Sequence, residues 1–289
     1  MQETLSNASV MADILKEIDH EKPFGATIRM SELWCEAKAF GAEILMSDDE
    51  FPITMKALEK KIEIISEMEA PSAYNEIMIP MYESVAEAAK EKTKPLIVGA
   101  TGPFTLAGIL NDSMKFSVNC KRKPELAEKF LATITAYLIE EIKAYKEAGA
   151  DAVMIAEPSV CMIPPALMEE FSNAYIQEII DAVQDEDFAV IYHNCGPVMP
   201  HLESIYKLGA AGFHFGSEVF LRKALELKPE NAALMGNIEP QYFLLQDTEM
   251  LSIALEDWKA TYGAQVDCIL STGCDLSPKS TKITLDMLG

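Results

Sequence analysis

FAVIYHNCGP (188–197) begins as a nearly all-apolar run with β-branched residues and ends in two metal-capable side chains followed by Gly-Pro. Such a run has the character of a parallel strand covered on both faces. Gly196 and Pro197 then break it. In extended backbone, residues i and i+2 project to the same side. His193 and Cys195 therefore reach toward one point at the C-terminal end of the predicted strand.

Comparable runs lie on either side: GATIRM (25–30), PLIVGA (95–100), DAVMIA (151–156), AGFHF (211–215), AALMG (232–236) and CILST (268–272). Between them the apolar spacing changes to three and four. The segment 125–150 repeats this spacing and closes with Lys143, Lys146 and Gly149, a helix C-terminal signature. The segments 166–184 and 248–263 read the same way, the second closed by Gly263. Repeated alternation of strand and helix predicts right-handed βαβ units. The expected fold is α/β, a (β/α)8 TIM-type barrel. Seven runs stand against the eight that a closed barrel needs, so the barrel is expected to lack its first strand unless one strand escapes the pattern.

The N-terminal part is less regular. Residues 32–44 read as a short helix or irregular crossover. Residues 46–55 are turn-rich, and Pro52 argues against a regular element there. Residues 55–68 and 74–92 look helical, the second kinked or broken at Pro80. No Gly/Ser-rich linker and no internal repeat interrupts the chain, which reads as a single domain over 1–289.

A length of 289 residues suits one barrel, and 49% hydrophobic with 24% charged residues is a globular composition. The net charge of -22 repels phosphate backbones and anionic lipid, which argues against nucleic-acid and membrane-surface roles. The N-terminus carries no signal-peptide core, and no apolar run approaches a membrane span, so a cytoplasmic protein is expected. Cys35, Cys120, Cys161, Cys195, Cys268 and Cys274 are scattered rather than framed for disulfides. In a reduced setting, cysteines that meet in space are metal-binding or catalytic.

Cys274 follows the last strand run, in STGCD (271–275). In a β/α barrel the strand C-termini meet at one rim, so Cys274 can converge with His193 and Cys195. One imidazole and two thiolates suit zinc, with a fourth position left for a carboxylate, water or substrate. Each of these residues alone is more often structural, and it is their combination that points to a metal. Glu218, in HFGSEVF (214–220), is a candidate displaceable fourth ligand and, with equal weight, an acid complementing a helix dipole. Glu157, before Pro158, can bind substrate, act as a base or cap the next turn. ATGPFTLAG (100–108) lacks the spacing of a P-loop or dinucleotide fingerprint and reads as pocket backbone. Its Thr101, with Asn194 and Asn237 at other strand ends, is a candidate substrate contact. Cys35, Cys120 and Cys161 have no partner at ligand spacing, and Cys268 is expected in the core. His201 is expected at the surface, and His214 is read as a packed residue in preference to one facing the barrel mouth.

HNCG (193–196), with GNIEP (236–240) and STGC (271–274), resembles the corrinoid:coenzyme M methyltransferases of the uroporphyrinogen decarboxylase superfamily. VGATGPFT (98–105), and residues 151–157 followed by Pro158, look like further shared segments. The resemblance runs from about residue 20 to the C-terminus. It implies a (β/α)8 barrel with zinc near the rim, held by His193, Cys195 and Cys274, with Glu218 matched by order only. It further implies that zinc holds the thiol of coenzyme M as a thiolate, which accepts a methyl group from a methylated corrinoid of the methylcobalamin type carried by a corrinoid protein. This would be one-carbon metabolism of the kind used in methanogenesis. The physics is consistent, because the thiolate is the competent nucleophile and a cation lowers thiol pKa. The family usually carries a longer N-terminal region that includes the first barrel strand. An open barrel edge would be covered by a partner subunit, so a homo-oligomer is a further expectation. Two other readings stand beside this one. A metal-free decarboxylase of the porphyrinogen type needs basic residues for its substrate carboxylates; the early chain offers Arg29, and the His-Cys-Cys set goes unexplained. A shortened non-catalytic homologue would keep zinc and bind a corrinoid protein or thiol without turnover.

Overall fold

The computed structural model describes residues 7–22, 24–29, 34–47 and 50–288. Residues 1–6, Pro23, residues 30–33, residues 48–49 and Gly289 of the segments read above lie outside the described residues. The strands are β1 (Thr27–Ile28), β2 (Ile44–Leu45), β3 (Ile53–Thr54), β4 (Leu96–Thr101), β5 (Ala152–Ala156), β6 (Ala189–Asn194), β7 (Gly212–Phe215), β8 (Ala233–Ile238) and β9 (Cys268–Thr272). β1 and β4 to β9 form one seven-stranded sheet in the order β1-β4-β5-β6-β7-β8-β9, every pairing parallel. These are the seven runs read as strands from the sequence.

The order never reverses along the chain. A doubly wound sheet would reverse at a switch point and place helices on both faces. A sheet wound in one direction by right-handed crossovers puts its helices on one face, which is barrel topology. β1 and β9 stand at the two ends of this order, and no pairing between them is present among the described residues.

The two faces of the sheet are told apart by its side chains, which alternate along each strand. Ile97, Ala152, Met154, Ile191 and Met235 form a small inner cluster. Their neighbours Val98, Val153, Val190 and Leu234 belong to the large core under the helices. The last inner row at the C-terminal rim is fixed by register: Thr101 pairs with Ala156, Ala156 with His193, His193 with His214, and His214 with Met235. Both histidines therefore enter the same inward-facing row as Met235.

The helices used below are α1 (Ala8–Glu21), α2 (Ile79–Ala89), α3 (Pro103–Asn111), α4 (Pro124–Glu147), α5 (Ala174–Val183) and α6 (Thr248–Tyr262). α1 starts at an Asn7 cap, whose side-chain oxygen accepts from the backbone N–H of Ser9 and Val10. It packs against α2. In α4 the buried positions Ala127, Phe130, Leu131, Ile134 and Leu138 follow the expected three-and-four spacing. Gly149 follows at φ +100, a backbone region open to glycine. The 166–184 pattern is helical throughout but loosens into a π-helical turn at Glu169–Asn173 before α5. α6 is capped by the Asp247 side chain on Met250 N–H.

Three N-terminal expectations are corrected. Pro80 does not kink a helix; it sits in the first turn of α2, where its missing N–H costs nothing. Residues 46–55 do hold a regular element, β3, which pairs antiparallel with β2 just before the segment, Ile44 with Thr54 and Leu45 with Ile53, and Pro52 falls just before the pairing begins. In 55–68 only Ile62–Ile65 is helical. Among the described residues no helix is long and apolar enough to cross a membrane.

Candidate metal centre

The rim above β6 carries His193 as the penultimate residue of the strand and Cys195 just beyond it. Cys274 stands two residues past β9. Nε2 or Nδ1 of His193 and the two Sγ atoms gather within 4.8 Å of one another. The Cys274 thiol lies 3.9 Å from His193 Nε2. In a tetrahedral zinc site, bond lengths of about 2.0–2.3 Å put neighbouring ligand atoms about 3.5–3.8 Å apart, so these three donors need little movement to share an ion. His193 is buried, and both cysteines are partly exposed. The donors thus sit at the wall of an opening rather than sealed in the core.

The thiols also polarise each other. Cys274 hydrogen-bonds to the Cys195 sulfur, which lowers the Cys195 pKa below that of an ordinary thiol despite burial. The same bond, with burial, pushes Cys274 up. The contact thus favours the shared proton on Cys274 over Cys195.

Glycines bring these loops together. A Cβ on Gly216 would lie 2.5 Å from the Cys195 carbonyl oxygen and 2.7 Å from its Cα. A Cβ on Gly273 would lie 2.8 Å from Ser217 N and 3.1 Å from Gly216 Cα. Cys161 packs on the other side, 2.9 Å from where a Gly196 Cβ would stand. The loop of Cys195 is therefore held between β5 and β7 by the absence of side chains.

The parallel ladder continues one step past the strands. Glu157 N donates to His193 O at 2.9 Å and Gly216 N to Asn194 O at 3.0 Å. Asn194 is fully buried, its amide donating to Glu157 O at 2.5 Å and its Oδ1 accepting from Gly196 N at 2.8 Å. Asn237 donates to Gly216 O at 3.0 Å and Val219 O at 2.7 Å. The side-chain amides of Asn194 and Asn237, two of the three expected substrate contacts, brace the rim loops. Thr101 is buried, its N–H donating to Glu36 Oε1 at 2.6 Å.

Glu157 and Glu218 lie outside the gathered donor set. Both Glu157 carboxylate oxygens are committed: Phe104 N and Thr105 N donate to them at 2.8 Å each, and Ser172 Oγ adds a third bond at 3.0 Å. Its chemistry is that of a buried cap on the N-terminus of α3, of the three alternatives the capping one, though on a helix before it in the chain. Burial raises its carboxyl above the ordinary range against these hydrogen bonds. Glu218 is exposed on the turn after β7, and its carboxylate is not among the atoms gathered within 4.8 Å. His201 is likewise buried rather than at the surface, because a 3-10 turn at Met199–His201 tucks its ring against Ile163 O at 2.9 Å.

His214 is the residue sequence reasoning undervalued. Its Nδ1 lies 2.8 Å from His193 Nδ1 and its Nε2 lies 2.8 Å from Thr272 O. Burial, with the neighbouring His193 imidazole, pushes its pKa down to about 3, so it is neutral at ordinary pH. The available signal was two histidines near the ends of consecutive strands, the same distance from the rim.

The family model for uroporphyrinogen decarboxylase (URO-D) matches residues 1–288. Methylcobamide:CoM methyltransferase MtbA of Methanosarcina acetivorans is 26% identical over 223 residues, 75% of this chain and 65% of that protein. Uroporphyrinogen decarboxylase of Dichelobacter nodosus is 25% identical over 270 residues, 90% of this chain and 76% of that protein. The chain thus spans just under two thirds of the length of the first of these relatives. Among solved structures, a methyltransferase from Methanosarcina mazei superposes with a TM-score of 0.82 at 21% identity, covering 99% of this chain and 85% of that one. The likeness in fold and the match along the whole sequence agree: the chain belongs to the uroporphyrinogen decarboxylase (URO-D) family.

Proposed function

We propose that this chain is a zinc-dependent methyltransferase that moves a methyl group from a methylated corrinoid, carried by a corrinoid protein, to a small thiol of the coenzyme M kind. The observation that carries the reading is the convergence of His193, Cys195 and Cys274 within 4.8 Å at the barrel rim. A relative named as a methylcobamide:CoM methyltransferase supports the choice of reaction. Bound zinc would supply the positive charge that keeps a substrate thiol ionised at neutral pH.

The chain's own residues do the rest. His193, Cys195 and Cys274 provide three donors and leave a fourth position for the substrate sulfur. Two anionic sulfurs in that set limit how strongly the site withdraws charge from a third, which keeps the substrate sulfur nucleophilic. Asn194 and Asn237 hold the loops of Cys195 and Gly216 against the rim. Glu157 anchors the N-terminus of α3 beside them.

Relatives named as uroporphyrinogen decarboxylase are about as similar as the methyltransferase, which keeps a metal-free decarboxylase as the second reading. That chemistry calls for cationic side chains facing substrate carboxylates. Arg29 is buried and donates to Ser84 Oγ at 3.4 Å, which favours the first reading. The test is demethylation of methylcobalamin by the zinc-loaded protein against a panel of thiols that includes coenzyme M. The proposal expects thiol-dependent loss of the methyl group in wild type and little in Cys274→Ser. Zinc bound at full occupancy with no demethylation by any thiol would favour the non-catalytic reading.

A further inference from the structure

Two carbonyls settle the proton positions of the histidine pair. The His214 carbonyl oxygen lies 3.2 Å from His193 Nδ1, and a carbonyl can only accept. His193 Nδ1 therefore carries the hydrogen, which leaves the Nε2 lone pair bare on the side of Cys274. Thr272 O lies 2.8 Å from His214 Nε2, so that nitrogen also carries its hydrogen. Two hydrogens cannot face each other across the 2.8 Å between the Nδ1 atoms, so His214 Nδ1 is the acceptor and faces His193 Nδ1–H. The ring centroids are 4.6 Å apart and the planes 30° tilted. The chain runs from Thr272 C=O through His214 to His193, and ends on Nε2 beside the Cys274 sulfur. It links β9, β7 and β6, the two outer members carrying the candidate ligands.

We propose that His214 is a positioning residue: its Nδ1 shares the His193 Nδ1–H with its own backbone carbonyl, and so holds the ring orientation that presents His193 Nε2 to a divalent metal. The inference rests on the metal-centre reading above. A ligand imidazole held on its far nitrogen by an acceptor is both oriented and made more basic. Here the acceptor is another imidazole, which is itself held by the strand that leads to Cys274. The same contact thus couples the direction of His193 to the placement of β9.

An isosteric pair of variants tests this. His214→Asn keeps an oxygen acceptor near the position of Nδ1, whereas His214→Leu has the same shape without one. Both lose the bond to Thr272 and keep the backbone carbonyl of residue 214, so their difference isolates the side-chain acceptor. Zinc affinity is measured by competition with a chromophoric chelator, and the cobalt(II) form is followed by its visible spectrum. Relative to wild type, His214→Leu is expected to lose about 10–100-fold in zinc affinity. His214→Asn is expected to retain most of the affinity and the wild-type cobalt spectrum. Equal affinities in the two variants would overturn the proposal. Long-range 15N spectra of the metal-free wild type give a reading that needs no variant. They should place the His193 proton on Nδ1, and a proton on Nε2 would overturn the proposal. A wild type that binds no zinc while its spectrum shows the Nδ1–H tautomer would instead sink the metal-centre reading.

Discussion

Cys274 Sγ lies 3.9 Å from His193 Nε2, although 81 residues separate the two in sequence. The sheet brings them together because β6 and β9 end at one rim with β7 and β8 between them. The pairing is useful only if both atoms are donors to something else. Replacing Cys274 by Ser keeps the shape but substitutes a hydroxyl that does not ionise near neutral pH. Zinc content should fall well below one per chain in Cys274→Ser. Cys268→Ala, whose sulfur packs against the outer core, should keep its zinc. Elemental analysis after dialysis reads both.

Gly216 is a second point of control that touches no metal. An added Cβ would come within 2.7 Å of Cys195 Cα, a backbone contact that cannot rotate away. Gly216→Ala should therefore push Cys195 off the rim. Overpacking of this kind costs about 1–3 kcal/mol. The expected result is a lower melting temperature and weaker zinc binding together. A stable protein with unchanged affinity would contradict the packing account.

Glu157 should behave differently from the candidate ligands. Its two oxygens receive N–H groups from Phe104 and Thr105. Glu157→Gln points an amide NH2 at one of these donors and loses a bond that costs about 1–3 kcal/mol to leave unmade. Stability should drop while stoichiometric zinc binding persists, as judged by urea denaturation and metal content. Loss of zinc at full stability would restore a direct role at the centre.

The sequence carried the strands of the sheet because each is apolar on two faces, a pattern visible without knowing its neighbours. β2 and β3 were missed for the opposite reason. Each is two residues long, Leu45 and Ile53 are exposed, and Pro52 adjoins the pairing. The candidate ligands were legible because His193 and Cys195 lie two apart and Cys274 follows a strand. The contact of His214 with His193 was not, since it exists only once β6 and β7 are set in register. Which backbone Glu157 caps was not legible, because Phe104 and Thr105 lie more than 50 residues earlier.

Far from the centre, Asp19 ties α1 to the start of β4. It accepts from Thr93 N at 2.8 Å, Thr93 Oγ1 at 2.7 Å, Lys94 N at 3.1 Å and Thr27 Oγ1 at 3.2 Å. Burial alone would raise its carboxyl, but these bonds, led by Thr93, hold the pKa below the ordinary aspartate value. A carboxyl lowered in the folded state stabilises fully above its unfolded pKa of about 3.9, and the contribution is lost as pH falls through the folded value. Asp19→Asn should lower stability at pH 7 and flatten this part of the acid limb. Urea titrations from neutral to acid pH check the slope, and parallel curves for the two proteins would refute it.

The account stands most directly on the metal. Wild-type protein, reduced, loaded with zinc and then dialysed, is measured for zinc and for free thiols in the same sample. The account predicts about one zinc per chain, with Cys195 and Cys274 protected from alkylation until a chelator is added. Zinc-free protein with both thiols intact and freely alkylated would contradict it.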